Sequence, residues 1–155
     1  MRVLVVASEC YPLAKTGGLA DVVGALPPAL EGLGHEVLTC LPGYPSVFAA
    51  LDEASEIDRY GELYGGPARV LRGRAAGLDV AVVDAPHLFD RPGHPYVAPD
   101  GEEWGDNGFR FAALAVVARE LALGRVPGLE VDVVHAHDWQ AGLVPAYLAL
   151  DPRAR

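Results

Sequence analysis

Two short runs concentrate the residue types that can do chemistry, Lys15-Thr16-Gly17-Gly18-Leu19 and His135-Ala136-His137-Asp138-Trp139-Gln140-Ala141-Gly142. In the first, Gly17 and Gly18 let backbone approach a diphosphate closely, and Lys15 adds a mobile positive charge. The run is neither the GxxxxGK of a Walker A loop nor the GxGxxG of a dinucleotide binder, so its plain alternative is a Gly-Gly turn with a solvated lysine. Asp21 follows in what reads as the first turn of a helix. There the helix dipole stabilises a carboxylate, and the same group can accept hydrogen bonds from sugar hydroxyls. In the second run, strand alternation puts His135 and His137 on one side, and Asp138 falls at a natural N-cap. The flat indole of Trp139 beside paired hydrogen-bonding groups suits the face and hydroxyls of a carbohydrate. The structural alternative is a capping Asp138, a packed His137 and a core Trp139. His-x-His-Asp at a strand end also fits a metal-dependent hydrolase, with His87 or His94 adding ligands. A third run, Asp84 to Tyr96, is a loop after a strand, in which Asp90 and Arg91 can pair at the surface and Tyr96 is the ligand-contacting candidate.

These residues need elements to hold them. Arg2 to Ala7 is nearly all apolar and β-branched, the pattern of a strand covered on both faces in a parallel sheet. A loop over 8–18 leads into helical spacing at Leu19, Val22, Val23, Leu26, Leu30 and Leu33. This predicts a helix over about 19–33, bent near Pro27 and Pro28 and closed by Gly34. His35 to Leu41 reads as a second buried strand, completing a βαβ unit and an α/β class. Ala68–Arg74 and Leu78–Asp84 read as a hairpin across Ala75-Ala76-Gly77. No period holds from Ala85 to Gly105, a loop long enough to be functional. Asp106 and Asn107 cap a helix running to about Leu123, with Asp106 and Arg110 as an i,i+4 pair and the rest apolar enough to be deeply buried. Val131–His135 reads as a strand and Trp139–Leu150 as a helix.

Composition narrows the partners. With 12 Lys and Arg against 21 Asp and Glu, and no basic run, the chain lacks the footprint of a nucleic-acid binder. A small anion remains a possible ligand, because backbone amides and one lysine can hold it within an acidic protein. Cys10 and Cys40 have no CxxC spacing and read as buried free thiols. The apolar run Val3–Ala7 is too short for a signal-peptide core and no stretch is long enough for a membrane span, so a cytoplasmic chain is expected.

Taken together, Lys15-Thr16-Gly17-Gly18-Leu19-Ala20-Asp21-Val22, Asp90-Arg91-Pro92-Gly93-His94-Pro95-Tyr96 and His135 to Gly142, in this order and spacing, closely resemble the bacterial glycogen synthases and plant starch synthases. The resemblance covers the whole chain. It implies a GT-B fold, two Rossmann-like domains facing across a cleft, and retaining transfer of glucose from ADP-glucose to the non-reducing end of an α-1,4-glucan, with neither metal nor cofactor. By that likeness Lys15, Gly17 and Gly18 bind the donor, and Asp21, Tyr96, His137, Asp138 and Trp139 line the sugar cleft. No residue of this chain is assigned a catalytic role. The resemblance further implies that residues 1–155 form an incomplete N-terminal domain. The C-terminal domain would bring most of the nucleotide pocket, so the 155 residues alone should not transfer glucose. Two alternatives stand beside it: the metal-dependent hydrolase, and a non-catalytic module that holds glucan or nucleotide. Loss of a partner domain would expose apolar surface and favour self-association.

Overall fold

The computed structural model describes residues 1–154. Its centre is a six-stranded sheet whose strands are β1 (Arg2–Val6), β2 (Glu36–Pro42), β3 (Leu51–Tyr60), β4 (Ala68–Ala75), β5 (Leu78–Asp84) and β6 (Val133–Ala136). Their spatial order is β3-β4-β5-β2-β1-β6. The pairs β1–β2, β1–β6 and β2–β5 are parallel, whereas β3–β4 and β4–β5 are antiparallel. The expected parallel sheet is therefore mixed: the predicted hairpin attaches to it antiparallel, and β3 closes that side. No strand was expected over Leu51–Tyr60, because its residues are largely polar and exposed and its pairing with β4 shifts register twice.

Helix α1 (Gly18–Glu31) links β1 to β2. Both prolines lie inside it and it ends at Glu31, short of the expected Leu33. Short helices α2 (Pro45–Ala49) and α3 (Pro86–Phe89) follow β2 and β5, so the 85–105 loop is not wholly irregular. Helix α4 (Asn107–Ala122) leads to β6, and α5 (Leu143–Leu150) follows a 3-10 turn over Trp139–Ala141; the single helix expected from Trp139 is broken at Gly142. The path β1 to β2 runs one way across the sheet and β5 to β6 runs the other. Right-handed crossovers then put α1 and α4 on opposite faces. Helix α4 packs on β1 and β2 and against α5, with the apolar residues from Phe111 to Leu121 buried apart from half-buried Val116, as its nearly all-round apolar sequence requires.

Two local expectations are corrected. Asp106 occupies the N-cap of α4 without a capping hydrogen bond from its side chain, and it forms no ion pair with Arg110. Its carboxylate is taken instead by Arg91, whose Nη1 donates at 2.7 Å and whose Nη2 also contacts it. Arg91 thus leaves Asp90 unpaired with it, and the pair that forms spans the long loop and fastens it to the start of α4. A fork-shaped guanidinium meeting both oxygens outcompetes a looser neighbour in sequence.

Candidate functional site

The carboxyl ends of β1 and β6 lie side by side, where the connection from β1 to β2 departs one way across the sheet and the connection from β5 to β6 arrives from the other direction. In an open α/β sheet this is the crevice that collects ligands. Both motifs lie there. Residues 7–17 leave β1 and turn into α1. Residues 137–142 leave β6, with the His137 amide donating to Val6 O at 2.9 Å.

The loop after β1 is held by a residue that the sequence did not single out. Glu9 is 2% exposed. Its carboxylate accepts from the Thr16 amide at 2.5 Å, the Thr16 hydroxyl at 2.8 Å, the Gly17 amide at 3.3 Å and the Tyr96 hydroxyl at 2.5 Å. Since the Tyr96 proton goes to Glu9, Ser8 Oγ is the donor in its 2.6 Å contact with the Tyr96 oxygen. Burial alone would raise the Glu9 pKa, but the donors around the carboxylate outweigh it and the net direction is down, so the carboxylate stays charged. Burial pushes the Tyr96 hydroxyl strongly up, and donation to Glu9 adds to this, so it stays a proton donor. The only sequence signal was position: a carboxylate two residues beyond a fully apolar strand end.

Glu9 also changes the reading of the helix tip. It takes the Thr16 and Gly17 amides, the second belonging to the glycine pair expected to approach the anion. Gly17, the N-cap of α1, makes no side-chain cap, and Gly17 and Gly18 are exposed with open space where a side chain would project. The first-turn amides from Gly18 onward therefore face outward without a capping side chain. The tip is placed by close packing. The Tyr11 amide donates to Ala20 O at 2.9 Å, and a Cβ on Gly24 would lie 2.5 Å from Tyr11 O, so only glycine fits there. Lys15 Nζ lies 2.5 Å from Asp21 Oδ1, both side chains being exposed, and 5.4 Å from the centre of the Tyr11 ring. The lysine expected to bind the donor and the carboxylate expected in the sugar cleft are thus each other's partner.

The second motif forms the facing wall. Asp138 adopts φ 61° and its side chain accepts from the Trp139 amide at 2.7 Å, capping the 3-10 turn rather than a long helix. Trp139 is 55% exposed, so it is no core residue. Its ring meets Phe111 edge-on at 5.3 Å and lies 6.1 Å from Tyr96. Tyr96 therefore joins the two motifs, bonded to Glu9 on one side and tilted against Trp139 on the other. The rings of His135 and His137 lie 4.2 Å apart, on one side of β6 as alternation required. Burial first, and His135 second, lower the His137 pKa, and its Nε2 is buried without a partner. His87 turns its Nε2 to Leu63 O at 2.9 Å, and His94 Nδ1 accepts from the Tyr96 amide at 3.1 Å. Among the described residues no three His, Cys, Asp or Glu side chains converge as a metal site, which leaves the hydrolase alternative without a ligand set. Cys10 and Cys40 are free and buried, and burial raises their thiols to about 11 and about 12.

Fold and crevice together define a doubly wound α/β domain with an uncapped, exposed helix tip beside an aromatic cluster. The starch synthase catalytic domain family matches residues 2–154, and the chain belongs to that family. It is 60% identical over 155 residues to a glycogen synthase of Methylocella silvestris and 58% identical over 154 residues to glycogen synthase 2 of Bradyrhizobium diazoefficiens. These alignments take in 100% and 99% of this chain but 32% of each relative. Among solved structures it is similar to the catalytic domain of starch synthase IV from Arabidopsis thaliana, bound to ADP and acarbose. The TM-score is 0.72 at 32% identity, over 99% of this chain and 31% of that one. Among the described residues no helix is long and apolar enough to cross a membrane.

Proposed function

We propose that this chain forms one wall of the active cleft of a cytoplasmic glycogen synthase, which transfers glucose from ADP-glucose to the non-reducing end of an α-1,4-glucan with retention of configuration. The observation that carries the reading is the uncapped, exposed tip of α1 at the switch point, with Lys15 beside it and the Tyr96–Trp139 wall across from it. In this reading Lys15, Gly17 and Gly18 meet the donor diphosphate. Asp21, Tyr96, His137, Asp138 and Trp139 face the sugars. The names of the relatives support it, as do the ADP and acarbose in the Arabidopsis thaliana structure. The relatives are about three times as long, which supports a second, C-terminal domain as the opposite wall. The 155 residues alone would then not transfer glucose, since preorganised groups from both sides are required. Self-association of the isolated chain through apolar surface belongs to the same reading.

Joined to the remaining two thirds of the Methylocella silvestris relative, the chain should transfer glucose from ADP-glucose. Lys15→Ala should then raise the donor KM by about tenfold or more, the scale of one charge-assisted contact. An unchanged donor KM would remove Lys15 from the site, and a joined protein that folds but transfers nothing would sink the reading.

A further inference from the structure

A cavity of about 410 Å³ opens beside the β1 loop, between it, the start of α2 and the loop after α3. Three of its lining residues are cations, Lys15, Arg91 and Arg110, and His94 joins them, yet no carboxylate lines it. In a chain of net charge -9 that bias is not the default. A cavity of the same volume at the amino end of the sheet carries Arg2, Arg72 and Arg74 together with Glu31, Glu36, Asp79 and Glu130. Two of the three cations here are balanced from outside the lining, Lys15 by Asp21 and Arg91 by Asp106. Arg110 is not. It is 1% exposed and donates to Leu88 O at 2.7 Å, Pro95 O at 2.8 Å and Asn107 Oδ1 at 2.7 Å, all uncharged acceptors. Tyr44 also lines the cavity, and its buried hydroxyl has no hydrogen-bond partner. Asp106, already paired with Arg91, acts on Arg110 only from a distance. A buried guanidinium without an ion-pair partner and an unsatisfied buried hydroxyl are both costly, and one anion would offset both.

We propose that this cavity is a binding site for a phosphoryl group, borne by free phosphate or by a hexose monophosphate, with Arg110 supplying a positive charge that no ion pair holds. Gly17, Gly18, Asp21, Tyr96, Asp138 and Trp139 do not line it, so the site is separate from the donor-and-glucan reading and shares only Lys15 with it. Apolar Leu13 and Phe89 and the exposed Ser46 provide a surface on which a sugar ring can rest beside its phosphate.

The test is amide NMR on the 155-residue chain at constant ionic strength, with inorganic phosphate, glucose 6-phosphate and glucose as probes. Phosphate and glucose 6-phosphate should shift the Ser46 and Gly93 amides saturably, and glucose should not. Tighter binding of glucose 6-phosphate identifies a sugar phosphate as the ligand, and equal binding identifies the phosphoryl group alone. Ser46→Glu places a carboxylate on the exposed rim and should weaken both by about tenfold or more without altering the unfolding midpoint. Arg110→Met should abolish binding, but it also removes three bonds to the loop, so Ser46→Glu is the deciding variant. Shifts confined to Gly17 and Gly18, failure to saturate, or undiminished binding by Ser46→Glu would overturn the assignment.

Discussion

Strands β1 and β6 lie side by side, parallel, with Val3 to Val6 opposite Val133 to Ala136, and both are rich in valine. Their fates differ. Val3 to Val6 are all buried, with a strand on either side and helices on both faces. Along β6 exposed and half-buried residues alternate; Val133 is 41% exposed and His135 is exposed. Similar composition therefore yields a core in one place and an open apolar edge in the other, because neighbours confer burial and a strand at the rim has only one. The loops that follow inherit the contrast: beyond β1 a buried carboxylate ties the chain together, whereas beyond β6 an exposed indole and an unpartnered imidazole stand ready.

The contrast can be broken by substitution. Leu4→Ala in β1 should cost about 3 to 4 kcal/mol in urea unfolding, while Val133→Ala in β6 should cost under about 1 kcal/mol. Equal costs would show that β6 is covered in solution. Glu9→Ala leaves two amides and two hydroxyls without their acceptor and should cost about 3 kcal/mol, with Glu9→Gln retaining part of it. A neutral Glu9→Ala would show that the loop holds itself.

A smaller effect should appear with pH. The folded-state pKa of His137 lies below its ordinary 6.5, so the unfolded chain takes up the proton first. Its effect on stability is absent above about pH 6.5, and stability falls as the medium is acidified through that value toward the folded pKa. Glu9, lowered from 4.5, adds a second decline below that pH. Urea midpoints measured from pH 7.5 to 5 should fall, and His137→Gln should flatten the slope. An identical slope would place the titrating group elsewhere. Smallest in stability, Val133→Lys should change unfolding by less than about 0.5 kcal/mol yet shift sedimentation toward the monomer, since a lysine on an edge strand opposes pairing. Unchanged sedimentation would show that this edge does not mediate self-association.

What could be read from the sequence was what depends on local pattern. The unbroken apolar runs of β1 and β2, the Ala76-Gly77 turn and the all-round apolar α4 each declare their surroundings. Strand β3 could not be found that way, because Asp52, Glu53, Ser55 and Glu56 face water and nothing nearby requires them to be a strand. The site motifs were legible as positions, since both fall at strand-to-helix turns. Their wiring was not. Glu9 reaches Thr16 seven residues on and Tyr96 eighty-seven residues on, and Arg91 passes over adjacent Asp90 for Asp106. Partners chosen across such separations are set by how the loops pack, and one sequence does not reveal that.

The contact between Lys15 and Asp21 means that this ammonium already has a resident counter-ion. A phosphate drawn to it would share or displace that carboxylate, so its arrival would be in part an exchange of one negative neighbour for another rather than neutralisation of a bare charge. Its strength should then vary less steeply with added electrolyte than an unescorted lysine would give, and Asp21, once released, is left free to turn toward whatever the phosphate carries.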